Sequence, residues 1–152
     1  MIDMLVRLYA LPPRVTGDDR GWQVRRARAF ELHAVCEFVR QNFSAKWVSE
    51  VTVAMSRQPI SCFIATQDRR IIGFSCYETT LRGFFGPMGV HPDARKLGLG
   101  QELLMVALES MREMGYAYAI IGGVGPREFY EKTCGAVEIV GSDPGTYTDL
   151  LP

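Results

Sequence analysis

Hydrophobic residues recur at three- and four-residue steps in several parts of the chain, the spacing that places side chains on one face of a helix. Residues 30–43 carry this pattern at Leu32, Val35, Cys36, Val39 and Phe43. A second helix is predicted for residues 45–56, because a serine can cap its start and a proline follows its end. A third helix is predicted for residues 98–114, and a short fourth begins at Pro126.

Runs of β-branched and aromatic residues separate these helices and predict strands. They are MLVRLYAL (4–11), WQVRRAR (22–28), ISCFIAT (60–66), RIIGFSCYETT (70–80), GFFGPMGV (83–90), YAYAIIGGV (116–124), VEIVG (137–141) and YTDLL (147–151). The first is predicted to be an extra edge strand, and the Pro-, Gly- and Asp-rich stretch after it a loop. Short links suited to hairpins join the three middle strands, which predicts an antiparallel meander within a mixed α+β domain.

Composition limits the classes of function. With 152 residues, 47% of them hydrophobic, the chain suits a single domain over residues 1–152, with an extra strand and loop at 1–21 and the core at 22–152. Seventeen basic residues balance seventeen acidic ones, so no global field favours nucleic acid or an anionic membrane. The four cysteines form no metal-ligand spacing, which indicates free thiols and no metal site. Since we find no leader and no membrane-length apolar run, we expect a soluble, cytoplasmic protein.

The stretch ARKLGLGQ, residues 94–101, places two glycines and two cations where the third helix begins. Free N–H groups and the positive end of the helix dipole make such a turn suitable for a phosphate or pyrophosphate. A dinucleotide fingerprint would need glycine where Leu103 stands, and a P-loop would need Gly-Lys-Ser/Thr. An ordinary glycine-rich turn that only starts a helix explains the spacing equally well.

Two motifs in this order resemble the GNAT superfamily of N-acetyltransferases. The stretch GPMGVHPDARKLGLGQELL is similar to its acetyl-CoA-binding core, with the signature Gln/Arg-x-x-Gly-x-Gly/Ala at Arg95, Gly98 and Gly100. The stretch REFYEKTCGA resembles the family's closing Tyr-Glu-Lys segment. The resemblance implies an α/β/α-layered fold with a splayed, mostly antiparallel central sheet. It also implies acetyl-CoA as cosubstrate, a small-molecule or polypeptide primary amine as acceptor, and a homodimer.

The resemblance carries over to particular residues. It implies that the strand ending at Val90 binds pantetheine through its main chain, that the following loop binds the pyrophosphate, and that Tyr130 lies beside the sulfur. The implied cofactor-binding residues are Met88, Gly89, Val90, Arg95, Lys96, Leu97, Gly98, Leu99, Gly100, Gln101 and Tyr130.

Direct attack of an amine on a thioester, through a tetrahedral intermediate, sets requirements for the site. An amine with a pKa near 10.4 is neutral about once in 10³ at pH 7, so deprotonation costs roughly 4 kcal/mol. Glu78 is the candidate catalytic base or ammonium anchor, with a solvent-facing glutamate and deprotonation through water as alternatives. The resemblance makes Tyr130 the catalytic acid toward the departing thiolate, and an aromatic core residue is the alternative.

Some positions depart from the family pattern. Gly123 stands where many relatives carry asparagine, the spacing after the tyrosine is Tyr-x4-Gly, and Ala136 replaces the usual phenylalanine. Trp47 lies in a region that often shapes the acceptor pocket in relatives, or it serves packing. A catalytically inactive acyl-CoA sensor and a protein-interaction domain therefore stay open as alternatives to the enzyme.

Overall fold

The computed structural model describes residues 1–14 and 20–152. Within these ranges four α-helices form: α1 (Leu32–Asn42), α2 (Ala45–Met55), α3 (Leu99–Glu113) and α4 (Arg127–Cys134). Seven strands accompany them: β1 (Met4–Arg7), β2 (Gln23–Arg26), β3 (Cys62–Gln67), β4 (Arg70–Tyr77), β5 (Phe84–Val90), β6 (Tyr118–Ile121) and β7 (Val137–Glu138). Part of the predicted loop at residues 12–21 lies outside the described residues.

The strands form one sheet in the order β2-β3-β4-β5-β6-β1-β7. All neighbouring pairs in this sheet are antiparallel except β5 and β6, which run parallel. Alternate side chains of a strand face opposite sides of a sheet, so β3 and β4 contribute to two separate cores. The mostly antiparallel α+β sheet with helices on both faces agrees with the predicted fold class.

One core lies between the sheet and α1 and α2. Phe74 and Ile64 are fully buried there, against Val39 of α1 and Val51 of α2. The second core lies on the opposite face, where α3 buries Leu103, Leu104, Leu108 and Met111. Burying a Leu, Val, Ile or Phe side chain stabilises the folded state by about 1.5–3 kcal/mol, so these two cores supply most of its hydrophobic stabilisation.

Two predictions at the chain ends were wrong. β1 was expected at the edge of the sheet, yet it lies between β6 and β7 and pairs with both. Residues 147–151 were expected to form a strand, yet none forms there: Gly145 and Asp149 adopt positive φ values of 56° and 53°, which interrupt an extended backbone. Tyr147, from that segment, packs into a cleft instead.

Candidate active site

A cleft opens where β5 and β6 separate. Their parallel pairing covers Phe84 with Ile120 and Phe85 with Ile121, and ends there. Beyond this point Gly86–Val90 forms one wall and Gly122–Pro126 the other. The cavity has a volume of about 640 Å³. Early divergence of two parallel strands is the splay that the sequence resemblance implied.

The β5 wall presents main-chain donors to this cleft. The N–H of His91 donates to the carbonyl of Ile72 on β4 at 2.8 Å. N–H groups of successive residues in a strand point in alternate directions, so those of Met88 and Val90 point away from β4 and toward the cleft. The Val90 carbonyl lies on the same side, where it accepts a hydrogen bond from Arg95 Nε at 3.2 Å.

The turn before α3 has the geometry that its glycine predicts. Gly98 has φ +88° and occupies the position before the first helical residue, and no side chain of residues 1–14 or 20–152 caps the helix there. The first N–H groups of the helix therefore lack intrahelical partners. Lys96, in the same turn, also has a positive φ of 66°. An anion at this point would meet free donors, the positive end of the helix dipole and a nearby cation.

Arg20 is a further cation at this turn, and no motif in the sequence predicts its position. Its Nη1 donates to the Leu97 carbonyl at 3.3 Å, and its guanidinium lies 5.9 Å from the centre of the Trp22 ring. A Cβ at Gly98 would approach Arg20 Nη1 to 2.4 Å. Arg20 lies 77 positions before Leu97, so only the folded chain brings them together.

Tyr130 lines the cleft from α4. Its ring packs edge-on against the rings of Phe85 and Phe129, with distances between ring centres of 6.3 Å and 5.1 Å. The residue is 8% exposed, and no group of the described chain hydrogen-bonds its hydroxyl. Burial, with a smaller contribution from the neighbouring Cys134, raises the pKa of Tyr130 to about 12. The phenol is therefore protonated at neutral pH and has a free donor.

Glu78 lies outside the cleft. It is 5% exposed, has φ +63°, and accepts the N–H of Gly83 at 2.5 Å in the turn between β4 and β5. Its main-chain carbonyl accepts Arg57 Nε at 2.9 Å. The carboxylate thus closes a turn, a role that neither the base nor the solvent-facing alternative describes.

The cleft contains a carboxylate that the sequence reading did not select. Glu50 of α2 lines the cavity and accepts a hydrogen bond from the hydroxyl of Thr80. A signal for it existed, because Trp47, Glu50, Val51 and Ala54 follow the three- and four-residue steps of one helix face. Charged residues are rare on the apolar face of a helix, so a carboxylate there indicates a specific role.

His91 and the four cysteines have structural positions. His91 Nδ1 accepts the N–H of Asp93 at 3.2 Å and so caps the short turn after β5. The four cysteines are free thiols, three of them buried. Across the two described ranges no cluster of side chains could hold a metal ion. Nor does any helix in them combine the length and the apolar character that a membrane span requires.

Comparisons with known structures find several proteins with a similar fold. A fungal multi-domain GH3 β-N-acetylglucosaminidase contains a GCN5-related glucosamine N-acetyltransferase region similar to 91% of this chain, with TM-score 0.73 and 14% identity over 19% of that protein. A GCN5-related N-acetyltransferase from Sphaerobacter thermophilus gives TM-score 0.72 and 19% identity over 91% of this chain and 48% of its own. A GNAT family N-acetyltransferase from Escherichia coli, solved with CoA, gives TM-score 0.52 and 20% identity over 68% of this chain and 63% of its own.

At these identities the likeness concerns the fold. The chain spans less than half the length of the first two proteins. A comparison with curated sequences gave no match. The model of the acetyltransferase (GNAT) family matches residues 26–136. Since that range takes in well over half of the chain, the protein belongs to the GNAT family of acetyltransferases.

Proposed function

We propose that this protein is an N-acetyltransferase that moves an acetyl group from acetyl-CoA to a primary amine. The observation that carries the proposal is the cleft between β5 and β6. Residues Gly86–Val90 of β5 and Tyr130 line it, and the uncapped start of α3 lies beside β5, where a Cβ at Gly100 would be 3.9 Å from the side chain of Val90. Family membership supports acyl transfer from CoA to an acceptor, and the cleft supplies residues suited to each part of that reaction.

The residues present fit a CoA thioester. Arg95 and Lys96, with the free N–H groups from Gly98 to Gln101, suit the pyrophosphate. The opposite wall is built from glycines, and a Cβ added at Gly125 would meet nothing within 4 Å. The N–H of Val90, close to Arg95, suits the amide groups of the pantetheine arm. Leu97, Leu99 and Gly100 would take part through their main chains.

The β5 wall and Tyr130 would support the chemistry. When bound, acetyl-CoA supplies the thioester carbonyl that the amine attacks, and an N–C bond forms as the C–S bond breaks. The N–H of Met88 can donate to the carbonyl oxygen as negative charge develops, since Met88 lies three residues from Phe85, which contacts Tyr130. The close approach of Gly89 to Phe43 fixes the strand beside it.

Tyr130 acts by hydrogen bonding to the leaving sulfur. With a phenol pKa of about 12 and a thiol pKa near 8.5, complete proton transfer is uphill by roughly 5 kcal/mol. A hydrogen bond to the developing thiolate is still favourable by about 1.5–3 kcal/mol. The ammonium proton of the acceptor leaves through water, since Glu78 is occupied with Gly83 outside the cleft and Glu50 already accepts the Thr80 hydroxyl.

The proposal is tested by thermal unfolding with and without acetyl-CoA, followed by an assay of CoA release with an amine panel. At 100 times the dissociation constant, acetyl-CoA adds about 2.7 kcal/mol, which raises Tm by roughly 5–10 °C in a domain of this size. Gly98→Glu should abolish that rise, because its side chain repels the pyrophosphate. The matched control is Gly141→Glu, which has a similar φ of 79°, open space around it, and a position outside the cleft.

Each outcome has a distinct meaning. A rise in the wild type and in Gly141→Glu, lost in Gly98→Glu, together with CoA release, supports the enzyme. A rise without CoA release for any amine supports the acyl-CoA sensor. Absence of any rise would refute the cofactor assignment and favour the interaction domain.

A further inference from the structure

The end of the cleft away from the turn before α3, where the pyrophosphate is proposed to bind, carries a negative side chain. Glu50 projects from α2 and accepts a hydrogen bond from the Thr80 hydroxyl. The adjacent Thr79 donates its hydroxyl to the carbonyl of Gly86 at 2.9 Å, at the residue where the β5 wall of the cleft begins. The carboxylate is therefore held at the point where β5 and β6 part.

The charges along the cleft are separated. Among the described lining residues Glu50 is the one carboxylate and Arg95 the one basic side chain. Arg95 contacts the carbonyl of Val90, four residues beyond Gly86 on β5, which corresponds to roughly 13 Å of strand. No ion pair engages Glu50 among the described residues. Met1 also lines the cavity, and its ammonium group pairs with Asp143 at 3.0 Å. A cavity-lining carboxylate that no protein cation engages is suited to a cationic ligand.

Aromatic side chains line the same cavity as this carboxylate. The rings of Phe43 and Trp47 lie 5.1 Å apart, and both line the cavity beside Glu50. Tyr147 closes the opposite side, where a Cβ added at Gly122 would lie 2.2 Å from its hydroxyl oxygen. Burial and the nearby carboxylates raise the pKa of Tyr147 to about 12, so it is a neutral phenol. Aromatic faces attract ammonium groups as well as apolar carbon.

We propose that Glu50, Thr80, Phe43, Trp47 and Tyr147 form the acceptor pocket, and that it selects a primary ammonium ion carried on an apolar alkyl or aryl body, with no carboxylate beside the amine. This inference rests on the proposed function and adds the class of acceptor to it. The carboxylate binds the ammonium group, and the aromatic side chains contact its apolar body. An α-carboxylate on the acceptor would meet the like charge of Glu50, while the ammonium group of Met1, which also lines the cavity, is already paired with Asp143 at 3.0 Å.

Matched pairs of acceptors test the selection. Phenethylamine and phenylalanine, or pentylamine and norleucine, differ only by the α-carboxylate. We expect kcat/KM to be at least tenfold higher for each amine than for its amino acid. In Glu50→Gln, kcat/KM for the amines should fall at least tenfold while KM for acetyl-CoA is unchanged. Equal use of amine and amino acid by the wild type would overturn the inference, and so would full activity of Glu50→Gln.

The matched control is Glu37→Gln. Glu37 is an exposed glutamate on α1 that pairs with Arg40 at 2.7 Å and does not line the cleft. Glu37→Gln removes the same charge from the same layer of the fold. We expect no change in the kcat/KM ratio of phenethylamine to phenylalanine or of pentylamine to norleucine. A fall in amine use as large as that of Glu50→Gln would refute a local role for Glu50.

Amine binding is also measured without turnover, so that the two proposals can fail separately. In a Trp22→Phe background Trp47 is the remaining tryptophan, and its fluorescence reports phenethylamine binding in the presence of CoA. Binding that Glu50→Gln weakens tenfold, without any acetyl transfer, supports the pocket and refutes the enzyme. Acetyl transfer to other acceptors, with no phenethylamine binding, supports the enzyme and refutes the pocket.

Discussion

Replacing Tyr130 by phenylalanine should separate catalysis from stability. The hydroxyl has no hydrogen-bond partner within the described chain, while the ring packs against Phe85 and Phe129. Tyr130→Phe keeps the ring and removes only the hydroxyl. We therefore expect the free energy of unfolding to change by less than about 0.5 kcal/mol, since no protein hydrogen bond is lost.

The effect on turnover should be much larger. Losing a hydrogen bond to a developing thiolate costs about 1.5–3 kcal/mol, which lowers kcat by roughly 10- to 150-fold. KM for acetyl-CoA should change little, because the pyrophosphate and pantetheine contacts remain. Initial rates of CoA release with the best amine acceptor, beside thermal unfolding of the same samples, measure both quantities.

The pH dependence gives a second check on the same residue. Tyr130 donates only when protonated, and its pKa of about 12 keeps it protonated through pH 10. The ratio of wild-type to Tyr130→Phe kcat should therefore stay constant from pH 7 to pH 10. A ratio that declines toward pH 10 would refute the raised pKa, and a ratio of one throughout would refute the role as acid.

The control for these measurements is Tyr118→Phe. Tyr118 is 48% exposed, its hydroxyl lies 3.5 Å from that of Tyr9, and it does not line the cleft. Its substitution should leave kcat and KM unchanged. A drop of several degrees in the Tm of Tyr130→Phe, absent from Tyr118→Phe, would make the Tyr130 hydroxyl a structural group.

Three further substitutions test the packing and the charges. A Cβ at Gly89 would lie 2.3 Å from the Phe43 ring, so Gly89→Ala should lower the free energy of unfolding by about 1–3 kcal/mol in chemical denaturation. In a Phe43→Ala background the same substitution should cost less than half as much. Equal costs in the two backgrounds would contradict the contact. Arg25 pairs with Glu31 at 2.6 Å and lowers the pKa of that carboxyl to about 2, so its stabilisation is present above pH 4.5 and is lost as the pH falls toward 2. Glu31→Gln should therefore cost about 1 kcal/mol at pH 7, after allowance for partial exposure, and nothing near pH 2; a cost independent of pH would contradict this. Ser75→Ala removes a buried hydroxyl that donates to a main-chain carbonyl of α3 at 2.8 Å. The loss of this hydrogen bond should lower the free energy of unfolding by about 1 kcal/mol in the same denaturation assay. An unchanged midpoint would mean that water replaces the hydroxyl.

Local patterns predicted the elements well. The periodicity of residues 30–43 and 98–114 yields α1 and α3 to within two residues at each end. The turn at Gly98 was predicted because a glycine before a helix and a positive φ are both local properties. These features depend on neighbours in sequence, which a single chain displays directly.

The positions of β1 and Glu50 depend on contacts between distant segments, whereas the place of Glu78 depends on a local turn. The place of β1 inside the sheet depends on β6 and β7, more than a hundred residues away. Glu78 was the one strand carboxylate close enough in sequence to the cofactor motif, yet its carboxylate accepts the N–H of Gly83 in the turn between β4 and β5. Glu50 was overlooked because the cleft that gives it meaning exists only once α2 lies beside β5 and the 79–80 segment.

The position of β1 also bears on how the chain folds as it is synthesised. β1 is synthesised before its partner strand, because Met4 pairs with Ile121, which is made 117 residues later. Until then Met4, Val6 and Leu8, all fully buried in the finished protein, have no sheet to join. Such long-range pairing slows folding and leaves apolar segments open to aggregation. Asp3 accepts the N–H of Gly123 at 2.9 Å and so ties this early segment to the second wall of the cleft, which is complete only after β1 has joined the sheet.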